Sequence, residues 1–278
     1  MKRAVRLFAI IATCAVSAIA VAQSQETSPA ETATDANTQP PAQEAPVAEA
    51  TTTTPAEAPK PPTRYSDLRR AQPIVGDAVA GRAKSELCAA CHGPQGIAIA
   101  PNFPNLAGQR ADFLYWQLVE FKRGTLTESP MTPLVADLSD DDMRNLAAYY
   151  ASLKPMTAAA PEAGAVPVDA TQAQRGEQLF LSGDPSKGIP PCQGCHGTDA
   201  NGHVDALQAD RNGHTPYAAF PRLRGQQAIY LQTKLAEYRD GKMHDATTDF
   251  MMRGIGERLD DDSIQALSAW LSSLPPAE

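Results

Sequence analysis

Apolar residues recur at helical spacing in several stretches of the chain. In the stretch 111–123, Leu114, Leu118 and Phe121 fall on one face, and Gly124 follows as a C-terminal stop. No stretch alternates apolar and polar residues as a half-buried strand would, so the pattern predicts an all-α fold. The predicted helices cover 77–90, 111–123 and a stretch that opens at Ser139, and later 227–239 and a stretch that opens at Asp260.

Polar caps precede two of these helices. Ser139 is followed three residues later by Asp142, and Asp260 stands in the corresponding place further along the chain. The residues behind each cap that share one helical face are predicted to be buried: Met143, Leu146 and Tyr150 in the first helix, and Ile264, Leu267 and Leu271 in the second.

The first 73 residues follow a different pattern. Residues 1–22 have a basic start, an apolar stretch and the small-residue sequence Ala20-Val21-Ala22, which together predict a secretory signal peptide. Residues 23–73 are rich in Ala, Thr, Pro, Glu and Gln, and they contain too little apolar area to offset the entropy of ordering the chain. We therefore predict a disordered linker over 23–73 and export to the periplasm.

Two copies of one sequence unit follow. The segment 103–109, Phe-Pro-Asn-Leu-Ala-Gly-Gln, matches the segment 220–226, Phe-Pro-Arg-Leu-Arg-Gly-Gln, at an offset of 117. Cys88 matches Cys192 at 104, so the second copy contains 13 additional residues between these features. The repeat predicts domains over 74–155 and 170–278 with a linker over 156–169. Each domain is small for an ordinary hydrophobic core, and a buried cofactor would supply the missing apolar mass.

Each copy contains the sequence Cys-x-x-Cys-His, which is the attachment pattern of c-type haem. Two thiols on one turn can each add to a vinyl group of one porphyrin, and the adjacent imidazole can then ligate the iron. One zinc site or two disulfides remain as alternatives, but neither explains the histidine that closes each motif. The pattern predicts two covalently bound haem c groups, attached through Cys88, Cys91, Cys192 and Cys195, with His92 and His196 as iron ligands.

Two methionines are candidates for the opposite side of each iron. Met131 and Met252 match at an offset of 121, and each precedes a matched leucine by seven residues. A thioether ligand would raise the iron potential relative to a second nitrogen ligand. Met251 remains a competitor for Met252. Three histidines have no counterpart in the first copy and are predicted to be loop residues: His203, His214 and His244.

Prolines follow both motif histidines at related distances. Pro104 lies 12 residues after His92, and Pro221 lies 25 residues after His196, which is the same spacing plus the insertion. Their carbonyl oxygens are candidates to accept the Nδ1 proton of the histidine, a contact that orients the ring and tunes the iron. Ordinary turn prolines are the alternative.

The charge of the chain limits its partners. The full sequence contains 24 Lys and Arg against 32 Asp and Glu, and removal of the predicted signal leaves 21 basic residues and a net charge of −11. This argues against nucleic acid, although a local basic docking face remains compatible with it. No apolar run of membrane-spanning length follows the signal, so we predict no transmembrane span in the mature chain and leave peripheral membrane association open.

These motifs together resemble the di-haem cytochrome c4 family over about residues 75–276. The resemblance implies two class I cytochrome c domains packed face to face about a pseudo-twofold axis. It also implies that His92 and Met131 ligate the first iron, and that His196 and Met252 ligate the second. The insertion near 198–217 departs from the compact pattern of the family.

The resemblance further implies a helix contact in each domain, where a glycine of the first helix packs on an aromatic side chain of the last helix. The residues in those places are Gly81 with Tyr149, and Gly176 with Trp270.

The function predicted from these features is electron transfer rather than catalysis. A haem with two protein ligands offers no open position for substrate, so we assign no catalytic residues and predict a periplasmic carrier of single electrons. The partners implied are redox proteins, such as a membrane terminal oxidase and a cytochrome bc1-type donor. Two alternatives remain: a di-haem peroxidase with one open iron, and a haem-bearing subunit of a membrane dehydrogenase or oxidase complex.

Overall fold

The computed structural model describes residues 67–126, 129–155, 169–243 and 246–276. Within these ranges the secondary structure is helical, with one isolated bridge between Asp184 and Ile189 and no strand. The prediction of an all-α fold is therefore confirmed. The predicted signal peptide, most of the linker 23–73 and residues 156–168 lie outside the described residues. None of the described helices is both long enough and apolar enough to cross a membrane.

The described residues form five α-helices in each half of the repeat. The first half contains α1 (Ala78–Lys84), α2 (Glu86–His92), α3 (Ala111–Arg123), α4 (Met131–Val135) and α5 (Asp140–Ser152). The second half contains α6 (Ala170–Ser182), α7 (Gln193–His196), α8 (Ala228–Arg239), α9 (Thr247–Gly256) and α10 (Asp261–Ser273).

The predicted single helix over 77–90 is wrong, because the chain bends at Ser85. The backbone N–H of Ser85 bonds to the Arg82 carbonyl at 3.2 Å, and its hydroxyl donates to the same oxygen at 2.8 Å. Ser85 thus ends α1 and begins α2. The first haem motif consequently lies on a separate short helix, and the direction of this helix axis need not follow that of α1.

The boundaries of the other four predicted helices, now α3, α5, α8 and α10, follow the sequence closely. Ser139 and Asp142 form a reciprocal capping box at the start of α5, and the Asp260 carboxylate accepts from the Ser263 N–H at 2.9 Å at the start of α10. Gly124 ends α3 in the left-handed conformation, with φ 69°. The residues predicted to be buried behind the two caps are all buried in the structure.

The first and last helices of each domain touch through a glycine, as the family resemblance implied. A Cβ atom on Gly81 would lie 2.0 Å from the Asn145 carbonyl oxygen and 2.8 Å from the Cβ of Tyr149. A Cβ atom on Gly176 would lie 2.0 Å from the Ala266 carbonyl oxygen and 2.8 Å from the Cβ of Trp270. The backbones of α1 and α5, and of α6 and α10, can approach this closely only because the glycines lack side chains.

Gly176→Ala should therefore destabilise the second domain by about 1–3 kcal/mol, the usual cost of overpacking a core. The free energy of unfolding in guanidinium chloride measures this. Gly254→Ala is the matched control, because a Cβ there meets nothing closer than the flexible end of Arg258 at 3.5 Å. Equal stability of the two variants would contradict the close helix approach.

Each domain has its own buried core, and a third cluster joins the domains. Leu126 of the first domain packs with Met243 and Ala246 of the second, and Phe121 and Tyr238 pack against this cluster. The two domain cores are larger; one is built around Leu114, Leu146 and Tyr150, and the other around Phe180, Leu267 and Trp270.

The last seven residues of the predicted disordered linker have a defined conformation. Leu68–Arg70 form a short 3-10 helix capped by Asp67, and Leu68 is buried. The Ala71 carbonyl accepts from the Thr215 N–H at 3.3 Å, so this segment contacts the insertion of the second domain. Contacts with the folded region thus fix residues 67–73, which the sequence analysis assigned to the disordered linker.

Candidate haem sites

Each Cys-x-x-Cys-His motif ends with its histidine at the end of a short helix; Cys88 and Cys91 lie within α2, whereas Cys192 is the cap that precedes α7. His92 is the last residue of α2 and His196 is the last residue of α7. Helical geometry places two cysteines three residues apart on one side of such a helix, as attachment to one porphyrin requires. The glycine after each histidine has positive φ, 72° at Gly93 and 78° at Gly197, and turns the chain away immediately.

Both motif histidines are buried and held by a proline carbonyl. Nδ1 of His92 lies 2.9 Å from the Pro104 oxygen, and Nδ1 of His196 lies 3.0 Å from the Pro221 oxygen. This confirms the contact predicted from the spacing. A carbonyl oxygen only accepts, so Nδ1 carries the proton and Nε2 is the nitrogen left to ligate iron.

Burial also sets the charge of these rings. It lowers the pKa of His92 and of His196 below the usual value of 6.5, because the charged form loses its hydration. A neutral imidazole is the form that binds a metal ion. The neutral imidazole that each site offers through Nε2 therefore fits the iron of a c-type haem.

The four motif cysteines are free thiols whose environments do not favour redox exchange. Cys88, Cys91, Cys192 and Cys195 are free. Burial raises the pKa of Cys88 and Cys195, and it raises the pKa of Cys192 to about 11. Redox-active dithiols depend on a lowered thiol pKa, which is the opposite situation.

The predicted methionine ligands occupy two different local settings. Met131 is the first residue of α4, whereas Met252 lies in the second half of α9, and both side chains are half-buried. Met251 is half-buried as well, so burial does not separate it from Met252. Met131 and Met252 remain predictions as ligands. Met143, interpreted from the sequence as a core residue, is buried in the core of the first domain.

Two of the competing histidines have protein partners within the insertion. The ring of His203 stacks on Tyr217 with centroids 3.7 Å apart, and its Nδ1 accepts from the Asp205 N–H at 3.1 Å. Nδ1 of His214 lies 3.2 Å from the Asp210 carboxylate. These contacts agree with their interpretation as loop residues, while His244 lies outside the described residues.

A reciprocal pair of glutamines connects the two sites, and the sequence analysis did not find it. The side-chain amide of Gln226 bonds to the backbone of Asn105, and the side-chain amide of Gln109 bonds to the backbone of Arg222. These partners match at the offset of 117, so the contact has pseudo-twofold symmetry. The sequence signal for this contact is the glutamine that ends both repeated segments, 103–109 and 220–226. The partner residues give no such signal, because Asn105 and Arg222 are different residue types.

The insertion of the second domain adds further contacts to the first. The guanidinium of Arg110 donates to the His203 carbonyl at 3.0 Å and to the Asn201 carbonyl at 3.4 Å. Gln72, in the segment just before the first domain, donates to the Asn212 carbonyl at 3.5 Å. The insertion near 198–217, which departs from the compact pattern of the family, is thus explained in part, because its residues contact the neighbouring domain.

Two helical domains, each with a haem-attachment motif whose histidine is oriented by a proline carbonyl, define a c-type cytochrome with two haem sites. The cytochrome c family model matches residues 78–154 and 173–275. A cytochrome c4 from Thiocapsa roseopersicina is 40% identical over 205 residues, which cover 73% of this chain and 96% of that relative. The chain belongs to the cytochrome c4 family and is a di-haem electron-transfer cytochrome with two covalently bound haem c groups.

Two further comparisons concern a solved structure and a relative with a different name. The crystal structure of reduced recombinant cytochrome c4 from Pseudomonas stutzeri superposes with a TM-score of 0.59 at 36% identity, covering 72% of this chain and all of that one. A protein from Thiomonas intermedia named thiosulfate dehydrogenase electron acceptor is 34% identical over 189 residues, covering 68% of this chain and 78% of that protein.

Proposed function

We propose that this protein is a periplasmic carrier that moves single electrons between respiratory donors and a terminal oxidase, without catalysing a reaction of its own. The observation that carries the proposal is the equivalence of the two sites. Each has a neutral, buried imidazole with Nδ1 held by a proline carbonyl, 2.9 Å in one domain and 3.0 Å in the other. Two sites built alike suit two haems that perform the same task, whereas a peroxidase needs one site to differ.

The proposed ligand sets are His92 with Met131 and His196 with Met252. The haem, once bound, supplies the exchange of one electron at its iron. The chain orients each imidazole, and its helices exclude water from the ring. The proposed domain boundaries remain 74–155 and 170–278, with a signal peptide over 1–22 that directs export.

The proposed partners are redox proteins on both sides of the carrier. A membrane oxidase is the acceptor and a cytochrome bc1-type complex is one donor. The similarity to a protein named thiosulfate dehydrogenase electron acceptor supports a dehydrogenase as a second class of donor. In that setting the chain would still act as a carrier, accepting electrons that the dehydrogenase releases.

The oxidised protein should bind cyanide slowly or not at all, because both irons would be closed by protein ligands. The reduced protein should deliver two electrons per chain to an oxidase. Stopped-flow absorbance measures both processes. Rapid binding of cyanide at one haem, together with turnover of hydrogen peroxide, would instead establish the di-haem peroxidase.

A further inference from the structure

The peptide unit between Pro104 and Asn105 is hydrogen-bonded at both ends. Its carbonyl oxygen lies 2.9 Å from Nδ1 of His92, and its N–H donates to Oε1 of Gln226 at 2.8 Å. Gln226 belongs to the other domain. One planar amide therefore connects the proposed axial ligand of the first iron to a side chain of the second domain.

The second site repeats this arrangement with the domains exchanged. The peptide unit between Pro221 and Arg222 lies with its oxygen 3.0 Å from Nδ1 of His196, and its N–H donates to Oε1 of Gln109 at 2.8 Å. Each glutamine also donates through Nε2 to the carbonyl of the same partner residue, at 3.0 Å from Gln226 and 2.9 Å from Gln109. Each glutamine side chain thus makes two hydrogen bonds to the backbone of its partner residue, one to the N–H and one to the carbonyl.

The orientation of both amides is determined by their surroundings. Oε1 of Gln109 also accepts from the Arg110 N–H at 2.9 Å, and Oε1 of Gln226 also accepts from the Gln227 N–H at 3.0 Å. A flipped amide would direct its NH₂ group at two N–H donors, so only the observed orientation satisfies the contact. Gln109 and Gln226 are 6% and 7% exposed, so water competes little for these bonds.

We propose that each glutamine tunes the haem of the opposite domain, Gln226 that of the first and Gln109 that of the second. An amide whose N–H donates to a good acceptor has a more negative carbonyl oxygen, because hydrogen bonds in a chain polarise one another. The stronger bond from Nδ1–H makes the imidazole a better electron donor, which favours ferric iron. Both glutamines therefore lower the potential of the haem across the interface. The proposal rests on His92 and His196 being the axial ligands.

Gln226→Met and Gln109→Met test this, since methionine keeps the length of the side chain and removes both hydrogen bonds. In Gln226→Met the potential of the first haem should rise more than that of the second. In Gln109→Met the second haem should rise more than the first. Redox titration with the two haems resolved measures the pattern. Equal shifts of both haems in each variant, as a merely loosened interface would give, or no shift, would overturn the proposal.

A second readout follows the hydrogen bond itself. In the reduced, diamagnetic protein, the proton resonance of His92 Nδ1–H should move upfield in Gln226→Met, while that of His196 should stay in place. Gln227→Met is the matched control, because it changes the adjacent side chain and keeps the backbone N–H that Gln226 uses. It should leave the proton resonances of both histidines unchanged, and a shift of the His92 resonance as large as in Gln226→Met would contradict the tuning role.

His92→Ala separates this proposal from the one on which it rests. If it makes the first haem high-spin while the glutamine variants leave all potentials unchanged, the ligation stands and the tuning role is wrong. If the first haem stays low-spin in His92→Ala, His92 is not its ligand and both proposals fail for that site.

Discussion

Replacing Cys88 and Cys91 together by alanine should leave one covalent haem per chain instead of two. Both thioether bonds to the first porphyrin would be absent, and His92 alone would hold that haem only by reversible ligation. The second motif is about a hundred residues away in sequence and has its own helix and histidine, so its attachment should continue. The absorbance of the pyridine haemochrome per chain should fall by half, and the intact mass should fall by one haem.

The same change should destabilise the first domain more than the second. Cys88 packs against the buried cluster of the first domain, and a domain of this size depends on the haem for part of its apolar mass. Cys14→Ala is the matched control, because Cys14 lies in the predicted signal and should not affect haem content. Two covalent haems in the doubly substituted protein would show that attachment occurs elsewhere.

Local sequence patterns predicted the bounds of α3 and α8 and the starts of α5 and α10, because the causes of these boundaries are local. The capping box at Ser139 and the left-handed Gly124 depend on residues within a few positions. The break at Ser85 was missed because apolar spacing continues across it, and only the bonds from Ser85 to the Arg82 carbonyl reveal it. The contacts between His92 and Pro104 and between His196 and Pro221 were predicted because the repeat supplied two spacings that differ by the insertion alone.

The family resemblance implied that the domains pack face to face, but the residues that make this contact could not be predicted from one sequence. Gln226 and Asn105 are 121 residues apart, and nothing in either neighbourhood specifies the other. Such a pairing follows from how two folded surfaces meet, which spacing and periodicity do not encode. The repeat could have suggested a symmetric role for Gln109 and Gln226, but it could not say that each contacts the other domain.

The methionine ligands remain predictions, because sequence and fold give only their place in the repeat and no contact that identifies them. Met131→Ala should leave both haems attached, open the first iron and lower its potential. The expected fall is a substantial part of the roughly 0.8 V over which axial ligands set haem potentials, because a thioether stabilises ferrous iron relative to water or nitrogen ligands. The far-red absorbance band of methionine-ligated ferric haem should fall to half its intensity per chain, and cyanide should then bind at one haem.

In the second domain the same experiment decides between adjacent residues. Met251 and Met252 both lie in α9 and are both half-buried, but successive residues of a helix point about 100° apart, so only one can face a given haem. The offset of 121 from Met131 selects Met252. In the Met131→Ala background, Met252→Ala should therefore remove the remaining half of the far-red band, while Met251→Ala, the matched control, should keep it. Loss of that remaining half in Met251→Ala alone would assign the ligand to Met251, and its retention in both variants would exclude both Met251 and Met252 as ligands of the second iron.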